Sequence, residues 1–128
     1  MSKILVVEDD RDIRELIAFS LRFAGFGVET AAGGSEGIEK ARAHQPDLIL
    51  LDVRMPRMGG FEVCERLKED GRTQGIPVVF LSARGQESEI QQGLALGAVD
   101  YILKPFSPDE LPGKVQAILD RVGGKDSA

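Results

Sequence analysis

The 128-residue chain is 42% hydrophobic and 29% charged, which is the composition of one soluble globular domain with a core of its own. Its 16 basic and 21 acidic residues leave a net charge of −5, so the bulk field repels nucleic-acid phosphate and direct nucleic-acid binding is not expected. One cysteine, Cys64, excludes an internal disulfide, and one histidine, His44, excludes a Cys/His zinc cluster.

The chain opens on a short apolar, β-branched run, Lys3–Val7. Met1-Ser2-Lys3 ahead of it is too short for a signal peptide, and no apolar run reaches the ~18 residues of a membrane helix. The expected setting is therefore the cytoplasm, away from membranes. A helix follows in which Ile13, Leu16, Ile17, Leu21 and Ala24 recur at threes and fours, with Gly25 as its stop. A second strand is expected at Gly27–Ala31, a weaker helix over 35–44, and a third strand over 47–51. Residues 59–70 read as a helix through Phe61, Val63 and Leu67, followed by a loop over 71–75 and a fourth strand over 76–81. Residues 86–96 form a helix with only Ile90 and Leu94 as strong anchors and Gly93 inside it, which costs ~1 kcal/mol relative to Ala and leaves the helix free to shift. A fifth strand over 100–103 precedes a last helix over 107–122, where Ser107, Pro108 and Glu110 spell a capping box with proline at the first helical position. Pro112, past that first turn, removes a hydrogen bond to Pro108 and is expected to kink or loosen the helix start.

Strands alternating with helices give an α/β fold with a parallel sheet. The first and third strands are apolar on both faces and so central, while the second and fifth are mixed and belong at the edges, which suggests the order 2-1-3-4-5. The domain is expected over 1–122, with 123–128 as a flexible tail or the start of a linker.

In such folds ligands sit beyond the carboxyl ends of the strands, where the strand order reverses. The first strand is followed by Glu8-Asp9-Asp10, the third by Asp52, the fourth by Ser82 and the fifth by Lys104-Pro105. Glu8, Asp9 and Asp52 therefore converge. Three neighbouring carboxylates stay ionised together only around a cation; otherwise one takes up a proton. Oxygen ligands without His or Cys favour Mg²⁺. Mg²⁺, a lysine, a hydroxyl and a carboxylate suit phosphoryl chemistry, and an Asp carboxylate can itself be the nucleophile. Neither G-x-x-x-x-G-K-[ST] nor G-x-G-x-x-G follows the first strand, which argues against a nucleotide or flavin site.

Four segments in register carry a specific resemblance: Ile4-Leu5-Val6-Val7-Glu8-Asp9-Asp10, the run from Leu50-Leu51-Asp52 through Pro56 to Gly59-Gly60, Leu81-Ser82-Ala83-Arg84, and the run from Gly97-Ala98 through Tyr101 to Lys104-Pro105-Phe106. Over about residues 3–122 the chain resembles the receiver domain of bacterial two-component response regulators. The resemblance implies a flavodoxin-like, doubly wound sheet with five helices on both faces. It implies Asp52 as phosphoacceptor. Asp9, Asp52 and the backbone carbonyl of Arg54 are then direct Mg²⁺ ligands, and Glu8 acts through water. Lys104 pairs with the phosphoryl oxygens, and Pro105 follows a cis peptide bond. Ser82 hydrogen-bonds the phosphoryl group and Tyr101 rotates inward. The implied donor is a phosphohistidine on a sensor histidine kinase or phosphotransfer protein, and the implied reader is an output protein or fused effector domain. The implied output face is the fourth helix, fifth strand and fifth helix. Such a domain is no enzyme beyond its own phosphoryl transfer and hydrolysis. Arg84, Asp100 and Lys114 resemble parts of a charged set through which related receivers dimerise on that face. Pro112-Gly113 departs from the pattern, and a monomer or weak dimer is expected.

Plainer readings stand beside these. Asp10 reads as the cap of the first helix, His44 as a surface or dipole residue and Cys64 as inert packing. Ser82 alone reads as a turn cap, Lys104 alone as a solvated lysine, and Tyr101 alone as edge-strand packing. The competing enzyme reading is a Mg²⁺-dependent phosphatase of the haloacid-dehalogenase type; those place a D-x-D pair after the first strand, whereas here the candidate nucleophile follows the third. A third reading is an interaction domain of the same fold that is never phosphorylated.

Overall fold

The computed structural model describes residues 2–83 and 86–123. Its elements alternate as β1 (Lys3–Val7), α1 (Arg11–Phe23), β2 (Gly27–Ala31), α2 (Gly34–His44), β3 (Leu48–Asp52), α3 (Gly60–Glu69), β4 (Val78–Ala83), α4 (Glu87–Ala95), β5 (Asp100–Lys104) and α5 (Leu111–Gly123). All four strand pairings are parallel and the order is β2-β1-β3-β4-β5, as the apolar patterning suggests and the family resemblance implies.

The two-residue period of the strands divides the core into two layers. Leu5, Val7, Ile49, Leu51, Val78 and Phe80 point to one face, where Ile38, Ala41, Val63, Cys64 and Leu67 of α2 and α3 cover them. Ile4, Val6, Leu48, Leu50, Val79 and Leu81 point to the other, against Ile17 and Leu21 of α1 and Leu111, Val115 and Ile118 of α5. Every residue of β3 is buried, whereas the edge strands β2 and β5 are mixed. Cys64 is buried in the α2–α3 layer, and burial pushes its thiol pKa up, consistent with a packing role.

Helix α1 is built as its sequence suggests at both ends. Asp10 caps it, its carboxylate accepting from the Ile13 N–H at 3.0 Å, and Gly25 adopts φ +100° to turn the chain into β2. Its buried stripe is Ile17, Ala18, Ser20 and Leu21; Leu16, expected in the core, is exposed beside Phe19 and Phe23. Helical spacing fits both stripes, and only the sheet decides which one is covered.

Helix α5 starts at Leu111, not at Ser107 as the capping-box reading has it. Residues 107–110 form a separate turn, with Glu110 and Leu111 N–H groups bonded to the Ser107 carbonyl at 3.0 and 3.1 Å. The cause is Pro112, which has no N–H for the Pro108 carbonyl. That carbonyl accepts the Ser20 hydroxyl at 2.6 Å instead, tying the turn to α1. The expected loss of the bond to Pro108 is thus seen as a shortened helix: Pro112 lies in the first turn of the helix that forms, and the residues before it are left as a turn.

Strands β3 and β4 are displaced slightly from expectation. β3 includes Asp52, and β4 runs over Val78–Ala83, so Ser82 is a strand residue. Gly123 ends α5, and the rest of the expected tail lies outside the described residues.

Candidate functional site

Because the strands are parallel, their carboxyl ends share one edge of the sheet. At the end of β1 the Glu8 N–H continues the pairing to the Ala31 carbonyl at 3.1 Å, and the Glu8 side chain is only 1% exposed. Arg14, in the first turns of α1, donates to the carbonyls of Glu8 and Asp9 at 2.9 and 3.3 Å and holds the acidic turn. Asp9 itself is exposed, and Asp10 is spent on capping α1.

Asp52 closes β3 and is 4% exposed. The chain after it doubles back: the Gly60 N–H bonds the Val53 carbonyl at 2.9 Å, and a Cβ at Gly60 would collide with the Asp52 carbonyl oxygen. Glycine at 60 is therefore a condition for α3 to begin against the site.

Lys104 ends β5, before a cis peptide bond to Pro105, as the resemblance implies. Its Nζ lies 2.9 Å from Asp52 Oδ1 and 3.4 Å from Glu8 Oε1. Glu8, Asp9 and Asp52 each place a carboxylate oxygen within 4.8 Å of the others. One lysine does not neutralise three carboxylates. The pKa of Glu8 is pushed up to about 7, first by burial and then by the Asp52 charge, against the Asp10 N–H and Lys104, which favour the ionised form. Burial pulls the Lys104 pKa down, but the Asp52 hydrogen bond and the two carboxylate charges outweigh it, and the net shift is upward. Three hard oxygen donors without nitrogen or sulfur fit a divalent cation of the Mg²⁺ kind.

Ser82 is 2% exposed, next along β4 from Leu81, which pairs with Asp52. Its hydroxyl donates to Glu89 Oε1 at 3.3 Å. Glu89 Oε2 takes Arg54 Nε and Nη2 at 3.0 and 2.8 Å, so the Arg54 side chain is drawn onto α4. Tyr101, on β5, is 37% exposed. On the same strand Asp100 pairs with Arg121 of its own chain at 3.0 Å. Lys114 is exposed, and Arg84 lies outside the described residues.

Glu8, Asp9, Asp52 and Lys104 thus meet as expected, while Ser82 faces a partner the sequence did not reveal. Arg14 and Glu89 were not foreseen. In the sequence they are an ordinary arginine on an amphipathic helix and an acidic residue near a helix start, and only the fold brings one to the acidic turn and the other to Ser82.

The family model of the response regulator receiver domain matches residues 4–116. The DNA-binding dual master transcriptional regulator RpaA of Synechocystis is 44% identical over 94% of this chain and 50% of its own length. The phosphate regulon transcriptional regulatory protein PhoB of Rhizobium meliloti is 42% identical over 94% of this chain and 53% of its own. The chain spans about half the length of these curated relatives. Among solved structures, the chemotaxis protein CheY4 of Vibrio cholerae superposes with a TM-score of 0.86 at 36% identity, covering 92% of this chain and 98% of that one. A sheet of order 2-1-3-4-5, an acidic cluster at its carboxyl edge and the family match over 4–116 agree: the chain belongs to the response regulator receiver domains of two-component systems.

Proposed function

We propose that the chain is a Mg²⁺-dependent phosphoacceptor switch, phosphorylated on Asp52 by a sensor histidine kinase or a phosphotransfer protein. The observation that carries this reading is the Asp52 carboxylate, buried, 2.9 Å from Lys104 Nζ and within 4.8 Å of the Glu8 and Asp9 carboxylates. A nucleophile, a cation for the phosphoryl oxygens and a set of oxygen donors share one small volume.

Glu8, Asp9, Asp52 and the Arg54 carbonyl would hold Mg²⁺. When bound, the ion supplies positive charge to the carboxylates and to the phosphoryl oxygens. Asp52 contributes the attacking oxygen. The P–N bond of the phosphohistidine breaks, and the imidazole, already protonated on its other ring nitrogen, takes the electron pair and leaves neutral. Lys104 balances charge that builds on the equatorial oxygens. Hydrolysis of the acyl phosphate by water returns Asp52 and inorganic phosphate, and no other reaction is assigned to the domain. The phosphoryl group adds about −1.5 to −2 charge and new acceptor oxygens. Ser82 and Lys104 close on them, Tyr101 turns inward, and the change is read on α4, β5 and α5 by an output protein or fused effector domain. Residues 1–122 carry this switch, the setting is cytoplasmic, and the domain works as a monomer or a weak dimer through the α4-β5-α5 face.

Incubation with Mg²⁺ and acetyl phosphate should add one phosphoryl group by mass, and Asp52→Asn should abolish it. Beryllium fluoride with Mg²⁺ should change the emission of Tyr101, the single tyrosine in a chain without tryptophan. Labelling that persists in the Asp52→Asn protein, or sustained turnover of phosphate monoesters, contradicts the assignment.

A further inference from the structure

The Ser82 hydroxyl has one proton and can donate to one acceptor at a time. Here that acceptor is Glu89 Oε1, at 3.3 Å. The other oxygen of the same carboxylate is held by Arg54 through both Nε and Nη2, at 3.0 and 2.8 Å. Glu89 thus ties together the end of β4, the loop just after Asp52 and the start of α4. Its side chain is only 15% exposed, which shelters the Ser82 bond, while the Arg54 side chain that anchors it is 67% exposed. Among the described residues, the N-terminal flank of α4 makes no side-chain capping bond, and Gly93 is the one buried residue of the helix.

We propose that Glu89 is a positioning residue, a latch that keeps the Ser82 proton away from the phosphoryl position, with Arg54 as its anchor. The inference rests on the phosphoacceptor reading. A phosphoryl oxygen on Asp52 and the Glu89 carboxylate compete for the same proton, so the phosphorylated state forms only by releasing Glu89. That release removes a bond at the start of α4, which gives the site a direct handle on the helix. A plain dipole role for Glu89 makes a different forecast, because an acidic residue near a helix start stabilises the helix whatever Ser82 does.

Calorimetric titration of the full chain with beryllium fluoride in saturating Mg²⁺ separates the two. Glu89→Ala is expected to tighten binding about 5- to 20-fold, within the usual range of coupling between sites. In a Ser82→Ala background the same substitution should change affinity less than about twofold, because no proton remains to compete for. Glu89→Gln, nearly isosteric but neutral, should fall between wild type and Glu89→Ala, and it carries the test if the alanine variant does not fold. Unchanged or weaker binding in both Glu89 variants overturns the latch. An equal gain with and without Ser82 also overturns it, since removal of a negative charge then suffices. A wild-type chain that does not bind the probe sinks the phosphoacceptor reading and the latch together, whereas a wild type that binds beside indifferent Glu89 variants sinks the latch alone.

Discussion

Helices α1 and α4 both begin at the carboxyl edge of the sheet, and they are held there by different means. α1 runs for 13 residues, is capped by the Asp10 side chain, and buries Ile17, Ala18, Ser20 and Leu21. α4 runs for 9 residues, has no side-chain cap, and buries only Gly93. Apolar burial fixes α1 wherever the charges in the site stand. α4 lacks that apolar anchorage, and its start is tied through Glu89 to Ser82 and Arg54. A change of charge at Asp52 can therefore move α4 and should leave α1 in place. The element expected to respond is the one with the fewest buried apolar anchors, since both helices bond to the site.

The largest effect should come from breaking that contrast through the core. Leu21 is fully buried against the α1–α5 face, and Leu21→Ala is expected to cost about 2–5 kcal/mol in chemical denaturation. Leu94, on α4, is 39% exposed, and Leu94→Ala should cost less than about 1 kcal/mol. Equal losses at the two positions would erase the distinction.

Next in size is the acidic cluster. The Glu8 pKa is raised from an unfolded value near 4.5 to about 7, so between those pH values the folded chain holds a proton that the unfolded chain has lost. The stabilisation this represents is fully present below about pH 4.5 and is lost as pH rises through 7. In chelator, stability should fall by roughly 1–3 kcal/mol between pH 5 and pH 8, and Glu8→Gln should flatten that slope. Asp70 does not blur this window: the Arg72 and Arg42 guanidinium groups hold its pKa well below the usual carboxylate range, so its contribution is lost only in more acidic solution. Added Mg²⁺ should raise the melting temperature more at pH 8 than at pH 5.5, because the proton and the cation compete for the same carboxylate.

Much of this was legible in the sequence, for reasons that differ from part to part. The strands, and which of them lie at the edges, follow from where apolar residues occur on both faces; the full order rests also on the family resemblance, and the convergence of Glu8, Asp9, Asp52 and Lys104 follows from the order. Three features were hidden. Leu16 and Leu21 have equally good helical spacing, and only the sheet decides that Leu21 is covered. The Ser107-Pro108-Glu110 box looks like a helix start, but the missing N–H of Pro112 defers the helix to Leu111. The Ser82–Glu89–Arg54 tie joins three segments whose pairing no local pattern encodes.

Gly93 sharpens the comparison further, because its sequence reading and its place in the fold differ. As a glycine inside a helix it weakens α4, yet it is also where α4 touches the sheet: a Cβ there would stand 2.6 Å from the Phe80 ring. Gly93→Ala therefore sets a gain in helix propensity of ~1 kcal/mol against an overpacking loss of about 1–3 kcal/mol. The expected net is a small loss in denaturation, with faster amide exchange confined to α4. Uniform loss of protection across α1 and α4 would mean that the two helices are anchored alike.

The smallest effect should come from supplying α4 with what α1 already has. Gln86 flanks the helix at φ −108° and ψ 56° and makes no side-chain bond to it, whereas Asp10 sits at φ −73° and ψ 117° and caps α1. Gln86→Asp offers a carboxylate to the N–H groups of the first turn, a gain of about 0.5–1 kcal/mol where the backbone can move toward extended geometry. The gain should appear as slower amide exchange in α4, with α1 unchanged. It should also weaken beryllium fluoride binding slightly, because a helix tied by its own cap gives way less readily when Ser82 turns toward the phosphoryl position. Slower exchange in α4 with unaltered binding would show that the start of this helix does not have to move for the site to close.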